Sequence, residues 1–237
     1  MNKQVLSPIV CSHCQQESDL FKVNCQHCGN VLRDRIPNID LGEVIIRIID
    51  SPSVAFAKII FAEKKNYLLI LVILLSIKNS IMYQSANAIL FGWEYFRPGE
   101  IQFVFLLLIL SLIIASSVVG LASKKKKQRL QIKQIGAAVL FSQLPIIFAF
   151  TILIIPEYVI FGKYIFYKNP TIFFIHPFFS YFFLLIETGF YIWAFVLTIL
   201  ACSHFFDKKI IVFITAAFFI LTLHFFPYLI LTQVIYK

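Results

Sequence analysis

Five long apolar stretches, separated by short polar or aromatic segments, dominate the chain after residue 66. Each is about as long as the roughly 20 residues that a helix needs to cross the hydrocarbon core of a bilayer. The pattern predicts membrane-spanning helices at about 67–90, 101–122, 134–155, 178–202 and 210–235. Gln143 and Pro145 predict a kink in the third helix. The expected fold is therefore an all-α integral membrane protein, with a five-helix transmembrane bundle in residues 67–237.

Two connections matter for the boundaries of these spans. Glu100 falls in the predicted loop between the first and second spans. The stretch from Pro156 to Pro177 is rich in Tyr and Phe and is interrupted by prolines, which is typical of the interfacial belt of a membrane protein. We expect it to lie at the membrane surface, with partial re-entry into the bilayer as the alternative.

Ahead of the spans, residues 36–66 form a linker and an amphipathic segment with helical spacing. Asp40 is a candidate N-cap, and Ser51-Pro52 interrupts the run. The two apolar faces consist of Val44, Ile45, Ile48 and Ile49, and of Ala55, Phe56, Ile59 and Ile60. The pattern predicts an interfacial helix on the membrane surface, although amphipathicity alone leaves protein open as the alternative apolar partner.

Composition supports the membrane assignment. The 237 residues are 59% hydrophobic and only 14% charged, and they include 27 Phe, which excludes an ordinary soluble domain. No apolar segment of signal-peptide length precedes Cys11. We therefore expect the N-terminal region to stay in the cytoplasm.

The net charge of +9 predicts the orientation, because cytoplasmic loops of membrane proteins are rich in Lys and Arg. The segment 123–133, called the basic loop here, holds six such residues: Lys124, Lys125, Lys126, Lys127, Arg129 and Lys133. With this loop inside, 11 of the basic residues that flank the spans lie on the cytoplasmic side and 4 lie outside. The prediction is a multi-pass protein of the cytoplasmic (inner) membrane, with its N-terminus inside and its C-terminus outside. The loop would contact anionic lipid headgroups, and no nucleic-acid ligand is expected.

Residues 1–35 contain two C-x-x-C pairs, Cys11 with Cys14 and Cys25 with Cys28. Two residues between thiolates let both sulfurs face one ion, and Gly29 allows the chain to turn after the second pair. Four thiolates close a tetrahedral site, which predicts a zinc ribbon with structural Zn. A redox dithiol and ligation by His13 or His27 are the alternatives.

Lys78 and Glu187 are ionisable residues deep inside predicted spans, at similar depths in the first and fourth. A charge at the membrane centre is unfavourable by roughly 2.5–3.5 kcal/mol on insertion scales, so each needs a partner or water. We predict an intramembrane ion pair. The alternative is that Lys78 extends towards the interface and that Glu187 is protonated. No catalytic constellation is recognisable, so the chain is not expected to be an enzyme.

The segment Ile48-Ile-Asp-Ser-Pro-Ser-Val-Ala-Phe-Ala-Lys58 resembles the Pro-Ser-x-Ala-Phe segment that precedes the first span in bacterial members of the Yip domain (Ypt-interacting-protein) family. The ribbon followed by Leu32-Arg-Asp-Arg35 and Asn38-Ile-Asp40 is similar to bacterial members that carry a zinc ribbon. The resemblance implies a cytosolic N-terminus and five spans. For eukaryotic members it implies binding of small GTPases and shaping of vesicle membranes, whereas bacterial members have no settled activity.

Two functions follow as hypotheses. In the first, the protein is a non-enzymatic membrane scaffold or adaptor whose ribbon binds a cytoplasmic protein partner or organises the membrane, with self-association into an oligomer left open. In the second, it is a transporter or permease for a small molecule or ion, with Lys78 and Glu187 lining a polar path.

Overall fold

The computed structural model describes residues 9–18, 22–92, 99–122, 132–206 and 208–234. Within these residues, five helical segments are long and apolar enough to cross a membrane: Leu68–Phe91, Gly99–Leu121, Ile132–Phe166, Pro177–Ser203 and Lys209–Gln233. The predicted all-α membrane fold, preceded by a small cysteine-containing unit, is confirmed. The elements are β1 (Ile9–Val10), β2 (Glu17–Ser18), α1 (Leu41–Asp50), α2 (Pro52–Phe61), α3 (Leu68–Phe91), α4 (Gly99–Ala122), α5 (Ile132–Phe141), α6 (Leu144–Phe161), α7 (Ile172–Ile175), α8 (Pro177–Ser203), α9 (Lys209–Ile220) and α10 (Phe226–Val234).

The third span is interrupted where the sequence predicts a kink. α5 ends at Phe141, Ser142 and Gln143 form a turn, and α6 begins at Leu144 with Pro145 in its first turn. Pro145 has no backbone N–H and its ring would clash with the carbonyl of Phe141 in a regular helix, which disfavours a continuous helix at this point. The Ser142 hydroxyl donates to the Val139 carbonyl at 2.6 Å and thereby satisfies one of the backbone groups at the break.

Two helices extend beyond the bounds predicted for their spans. The helix of the third span does not end near residue 155, because α6 continues through Pro156 to Phe161 and is followed by a 3-10 turn, Gly162–Phe166. An interior proline removes one backbone hydrogen bond of the helix. The other backbone groups of this apolar stretch still form hydrogen bonds within the helix when it continues past the proline. Glu100 is not in a loop: it is the second residue of α4 and is 2% exposed.

The fifth span contains a π-helical segment, Leu221–Phe225, directly before Pro227. The proline cannot donate a hydrogen bond to the Leu223 carbonyl four residues earlier. Side chains of α3 donate hydrogen bonds to the carbonyl groups at this point. The Asn79 amide donates to Leu223 O at 3.2 Å, and the Tyr83 hydroxyl donates to His224 O at 2.5 Å. The irregular backbone is therefore buried against α3, as a membrane interior requires.

Before the spans, α1 and α2 follow the predicted break at Ser51-Pro52. Asp40 caps α1, accepting a hydrogen bond from the Glu43 amide at 3.0 Å, and Pro52 is the first residue of α2. In α1, Val44 and Ile48 are buried, but Ile49, which was predicted to share their face, is 68% exposed.

The apolar face of α2 contacts protein. Ala55, Phe56, Ile59 and Ile60 are all fully buried, and α2 packs against α5 and α8. Each large side chain buried in this way contributes about 1.5–3 kcal/mol relative to exposure to water. The sequence left open whether lipid or protein covers this face, and the structure shows it in contact with the helices of the bundle.

The Lys65 side chain caps the C-terminal end of α2. Its ammonium donates to the carbonyls of Ile59, Ile60 and Ala62 at 2.5, 2.8 and 2.6 Å, groups that lack helical partners at a C-terminus. Burial, followed by the positive charges of Lys133 and Arg33, lowers the pKa of Lys65 to about 8.

We expect Lys65→Ala to loosen the end of α2, because it leaves three buried carbonyls without that donor. The loss should be about 1–3 kcal/mol in local stability, measured by hydrogen exchange of the last-turn amides of α2. Lys64→Ala is the matched control, since the neighbouring Lys64 side chain is exposed. Equal effects of the two variants would contradict the role of Lys65.

The spans pack as a bundle in which α3 contacts α4 and α6, and α8 contacts α6 and α9. Because α3 begins beside α2, alternate spans return the chain to the same end of the bundle. That end, called the ribbon end here, carries the start of α3, the end of α4, the start of α5 and the connection from α8 to α9. The basic loop 123–133 joins α4 to α5 at this end; Lys133 is exposed there, and Lys124 to Lys127 and Arg129 lie outside the described residues.

Candidate metal centre and intramembrane charged site

The two C-x-x-C segments form two equivalent turns. In each, the residue after the second cysteine donates its amide to the carbonyl of the first cysteine: Gln15 to Cys11 at 2.9 Å, and Gly29 to Cys25 at 3.0 Å. The first turn is bordered by the antiparallel pair of β1 and β2. The second is bordered by a single bridge between residues 24 and 31. Because the two segments have the same turn conformation, their two pairs of sulfur atoms point towards one common position.

In both turns, the residue directly after the second cysteine has a left-handed backbone conformation. Gly29 has φ of +75°, as its place in the sequence suggested, and Gln15 has φ of +55° at the equivalent position of the first turn. A residue with a Cβ adopts this conformation rarely. Sequence reasoning missed Gln15, although aligning the two C-x-x-C pairs with each other would have identified it.

The four sulfur atoms lie within 4.8 Å of one another. The Cys11 and Cys28 sulfurs are 3.6 Å apart, as are those of Cys14 and Cys25. A disulfide would require about 2.05 Å. Four sulfurs at about 2.3 Å from a central ion in tetrahedral geometry are separated by about 3.8 Å. The site can therefore hold one metal ion with four thiolate ligands.

The surroundings of the site lower the pKa of Cys11 and Cys25 and raise that of Cys14 and Cys28. The Ser18 hydroxyl donates to the Cys25 sulfur at 3.3 Å and, together with the backbone amides of His27 and Cys28, lowers the pKa of Cys25 to about 5. Despite a hydrogen bond from the Asn30 backbone, burial and the three neighbouring sulfurs raise the pKa of Cys28 to about 12. Thiolates this close repel one another unless a cation lies between them, and a divalent ion would remove that repulsion.

His13 and His27, the alternative ligands, are exposed within their turns. Among the described residues, the cluster that can hold a metal consists of the four cysteines. The fifth cysteine, Cys202, is fully buried at the end of α8.

We expect Gly29→Ala to weaken metal binding by about 5- to 30-fold, because a left-handed alanine is strained by about 1–2 kcal/mol. No atom lies within 4 Å of where its Cβ would be, so backbone strain is the only cause. Gly29→Asn should recover part of the affinity, since asparagine tolerates this conformation. Competition with a chelator measures all three proteins, and equal affinities would contradict the assignment.

In the membrane domain, the structure brings Lys78 of α3 and Glu187 of α8 together. The Lys78 ammonium lies 2.6 Å from the Glu187 carboxylate, within salt-bridge distance. It also lies 5.8 Å from the centre of the Tyr191 ring. The Lys78 side chain is 5% exposed and that of Glu187 is 26% exposed. The depth argument from the sequence thus pairs the same two residues as the structure.

Glu157 is the charged residue that sequence reasoning missed. It lies on α6, close enough to Lys78 and Glu187 for electrostatic interaction. Because the third span was predicted to end near residue 155, Glu157 was assigned to the interfacial segment. The continued apolar run after it, up to Phe161, was the available signal.

A second polar cluster joins four of the five spans. The ring nitrogens of His224 lie 3.2 Å from the Asn79 amide oxygen and 3.1 Å from that of Gln143. Gln143 in turn donates to Ser142 and Thr198 at 2.9 and 3.2 Å. A neutral imidazole can donate to one of the two amide oxygens, and an imidazolium to both. This cluster connects the α5–α6 break and the π-helical segment to α3 and α8 through hydrogen bonds between side chains.

The three charged groups border a cavity of about 260 Å³ between α3, α6 and α8. The cavity lies in the half of the bundle away from the ribbon end, because it is lined by the C-terminal part of α3. Its charged lining is Lys78, Glu157 and Glu187, and most of the remaining surface is apolar.

No family model, curated protein or solved structure matches the chain. The segment that resembles the Yip domain family, residues 48–58, lies at the junction of α1 and α2 and on α2.

Proposed function

We propose that the protein is a non-enzymatic membrane scaffold or adaptor, anchored by five spans, whose ribbon holds a structural zinc ion and binds a cytoplasmic protein. The observation that carries the proposal is the convergence of four cysteine sulfurs, since four thiolates leave a zinc ion no open position for catalysis. Val10 and Val31 are 59% and 63% exposed beside the two turns, which offers apolar contact to a partner.

The position of the ribbon supports an adaptor. Arg35 forms two hydrogen bonds with Glu63 at 3.0 and 3.1 Å, and the Ile39 amide donates to Asn66 at 2.8 Å. These contacts hold the linker after the ribbon against the start of α3. The ribbon would therefore present its partner close to the membrane surface.

The proposed orientation places the ribbon end on the cytoplasmic side of the cytoplasmic (inner) membrane. The basic loop and Lys208 belong to connections at this end, Lys209 begins α9 there, and short basic loops are retained inside. The basic side chains would also contact anionic headgroups of the inner leaflet.

Crosslinking followed by affinity purification tests the adaptor role. The intact protein should capture a defined set of cytoplasmic proteins, and Cys25→Ser should lose them. Cys202→Ser is the matched control, because it removes a cysteine outside the ribbon and should keep the set. Identical captures by all three proteins would refute the adaptor proposal.

A transporter is the second candidate, favoured by the cavity that Lys78, Glu157 and Glu187 line. Transport requires water to reach these side chains. Cysteines introduced at Ser85 and Leu184, which line the cavity without forming the ion pair, should react with a membrane-impermeant thiol reagent if a path exists. A cysteine at the exposed, apolar Leu106 is the control, and silence at 85 and 184 would argue against transport.

We further propose membership of the Yip domain family, supported by the Pro52-Ser-x-Ala-Phe56 segment ahead of five spans. The proposal concerns fold and topology. Small-GTPase capture in the crosslinking experiment would extend it to function.

A further inference from the structure

We propose that the cavity between α3, α6 and α8 is a binding site for a small organic amine, with Glu157 as the counter-charge of the bound ammonium. The proposal does not depend on the ribbon or on transport, because it concerns a ligand held within the bundle.

The walls of the cavity suit an apolar body. Four aromatic residues from three elements contribute to its lining: Phe150 and Phe161 of α6, Phe173 of α7 and Phe183 of α8. Aromatic faces attract cations as well as apolar groups, particularly where water is scarce. The volume of about 260 Å³ is slightly below the ~300 Å³ lower end of sites for drug-sized ligands. A compact amine with one ring or a short alkyl group fits these dimensions.

The charges of the cavity select the sign of the ligand. Lys78 is already engaged by Glu187 at 2.6 Å. Glu157 has no hydrogen-bond or salt-bridge partner within the part of the chain that the structure describes. With all three groups ionised, the cavity has an excess of one negative charge.

An anion would meet two carboxylates and an ammonium that is already paired, so the cavity disfavours it. A neutral ligand supplies no charge to pair with the Glu157 carboxylate, which lies in a largely apolar space. A primary ammonium supplies a charge and three N–H donors, which Glu157 and the neighbouring Glu187 carboxylate can accept.

Three probes of similar size test the assignment on the full chain, loaded with zinc, in lipid nanodiscs. They are 2-phenylethylamine, the neutral 2-phenylethanol and the anionic phenylacetate. Calorimetric titration should give an affinity for the amine about tenfold or more above that for the alcohol, and weaker binding still for phenylacetate. Equal affinity for amine and alcohol would show that the cavity is only apolar and would overturn the proposal, as would the absence of saturable amine binding.

Variants locate the site. Glu157→Gln should reduce the ratio of amine to alcohol affinity to about one, whereas Glu157→Asp, which keeps the charge, should retain it. Asp50→Asn removes an exposed carboxylate far from the cavity and should change nothing. An unchanged ratio of amine to alcohol affinity in Glu157→Gln would overturn the proposal. If that variant does not fold, the comparison of the three probes on the wild-type protein decides the proposal. Loss of amine binding would leave the ribbon pulldown unaffected, so the two proposals fail separately.

Discussion

Replacing Cys25 with serine should remove the metal from the ribbon and unfold residues 9–33, while the five spans remain inserted. The ribbon has almost no apolar core: Cys11 and Cys25 are buried, but Val10 and Val31 are 59% and 63% exposed. Its folding free energy must therefore come largely from metal binding, which contributes about 10–16 kcal/mol in zinc-finger peptides. We expect the zinc content of the purified protein to fall from about one ion per chain to none, with loss of amide protection confined to the ribbon.

The spans should tolerate this loss because their insertion depends on apolar length and not on the ribbon. Removing the ion from the wild-type protein with a chelator should reproduce the same local unfolding. His13→Ala and His27→Ala serve as controls, since both histidines are exposed and lie outside the cysteine cluster. Unchanged zinc content in Cys25→Ser, or zinc loss in either histidine variant, would contradict ligation by four thiolates.

The cysteine cluster and the span count could be predicted from sequence because each depends on local rules. Two residues between cysteines fix the distance between their sulfurs, and a bilayer fixes the length of an apolar helix. The partnership of Lys78 with Glu187 followed from counting residues along antiparallel helices, since a helix rises a constant distance per residue.

The features that the sequence did not reveal depend on neighbours. The apolar face of α2 looks alike whether lipid or protein covers it, and the structure shows α5 and α8 in contact with it. Glu157 was missed because Pro156 was taken as the end of a span, whereas one lost hydrogen bond does not stop a helix in apolar surroundings. The left-handed Gln15 was missed because glutamine is not a turn-forming residue, so that only its position, equivalent to that of Gly29, marks it.

Glu187→Gln should destabilise the membrane domain by about 3–5 kcal/mol, because it leaves the Lys78 ammonium buried without its counter-charge. Lys78→Met should be less harmful, since the Glu187 side chain is 26% exposed and that of Lys78 only 5%. The double variant should recover much of the loss from Glu187→Gln, because it removes both charges together. Unfolding by denaturing detergent in mixed micelles measures all four proteins and gives the coupling free energy directly.

A second cycle that pairs Glu187→Gln with Lys133→Met controls for general effects of removing charge. Lys133 is exposed at the start of α5, so these two changes should add within about 0.5 kcal/mol. Additive losses in the first cycle as well would mean that the two groups are stabilised separately, with Lys78 held by water or by the Tyr191 ring. A coupling of several kcal/mol confined to the first cycle would instead establish a salt bridge that water does not screen, and would fix the relative position of α3 and α8 at the wall of the cavity.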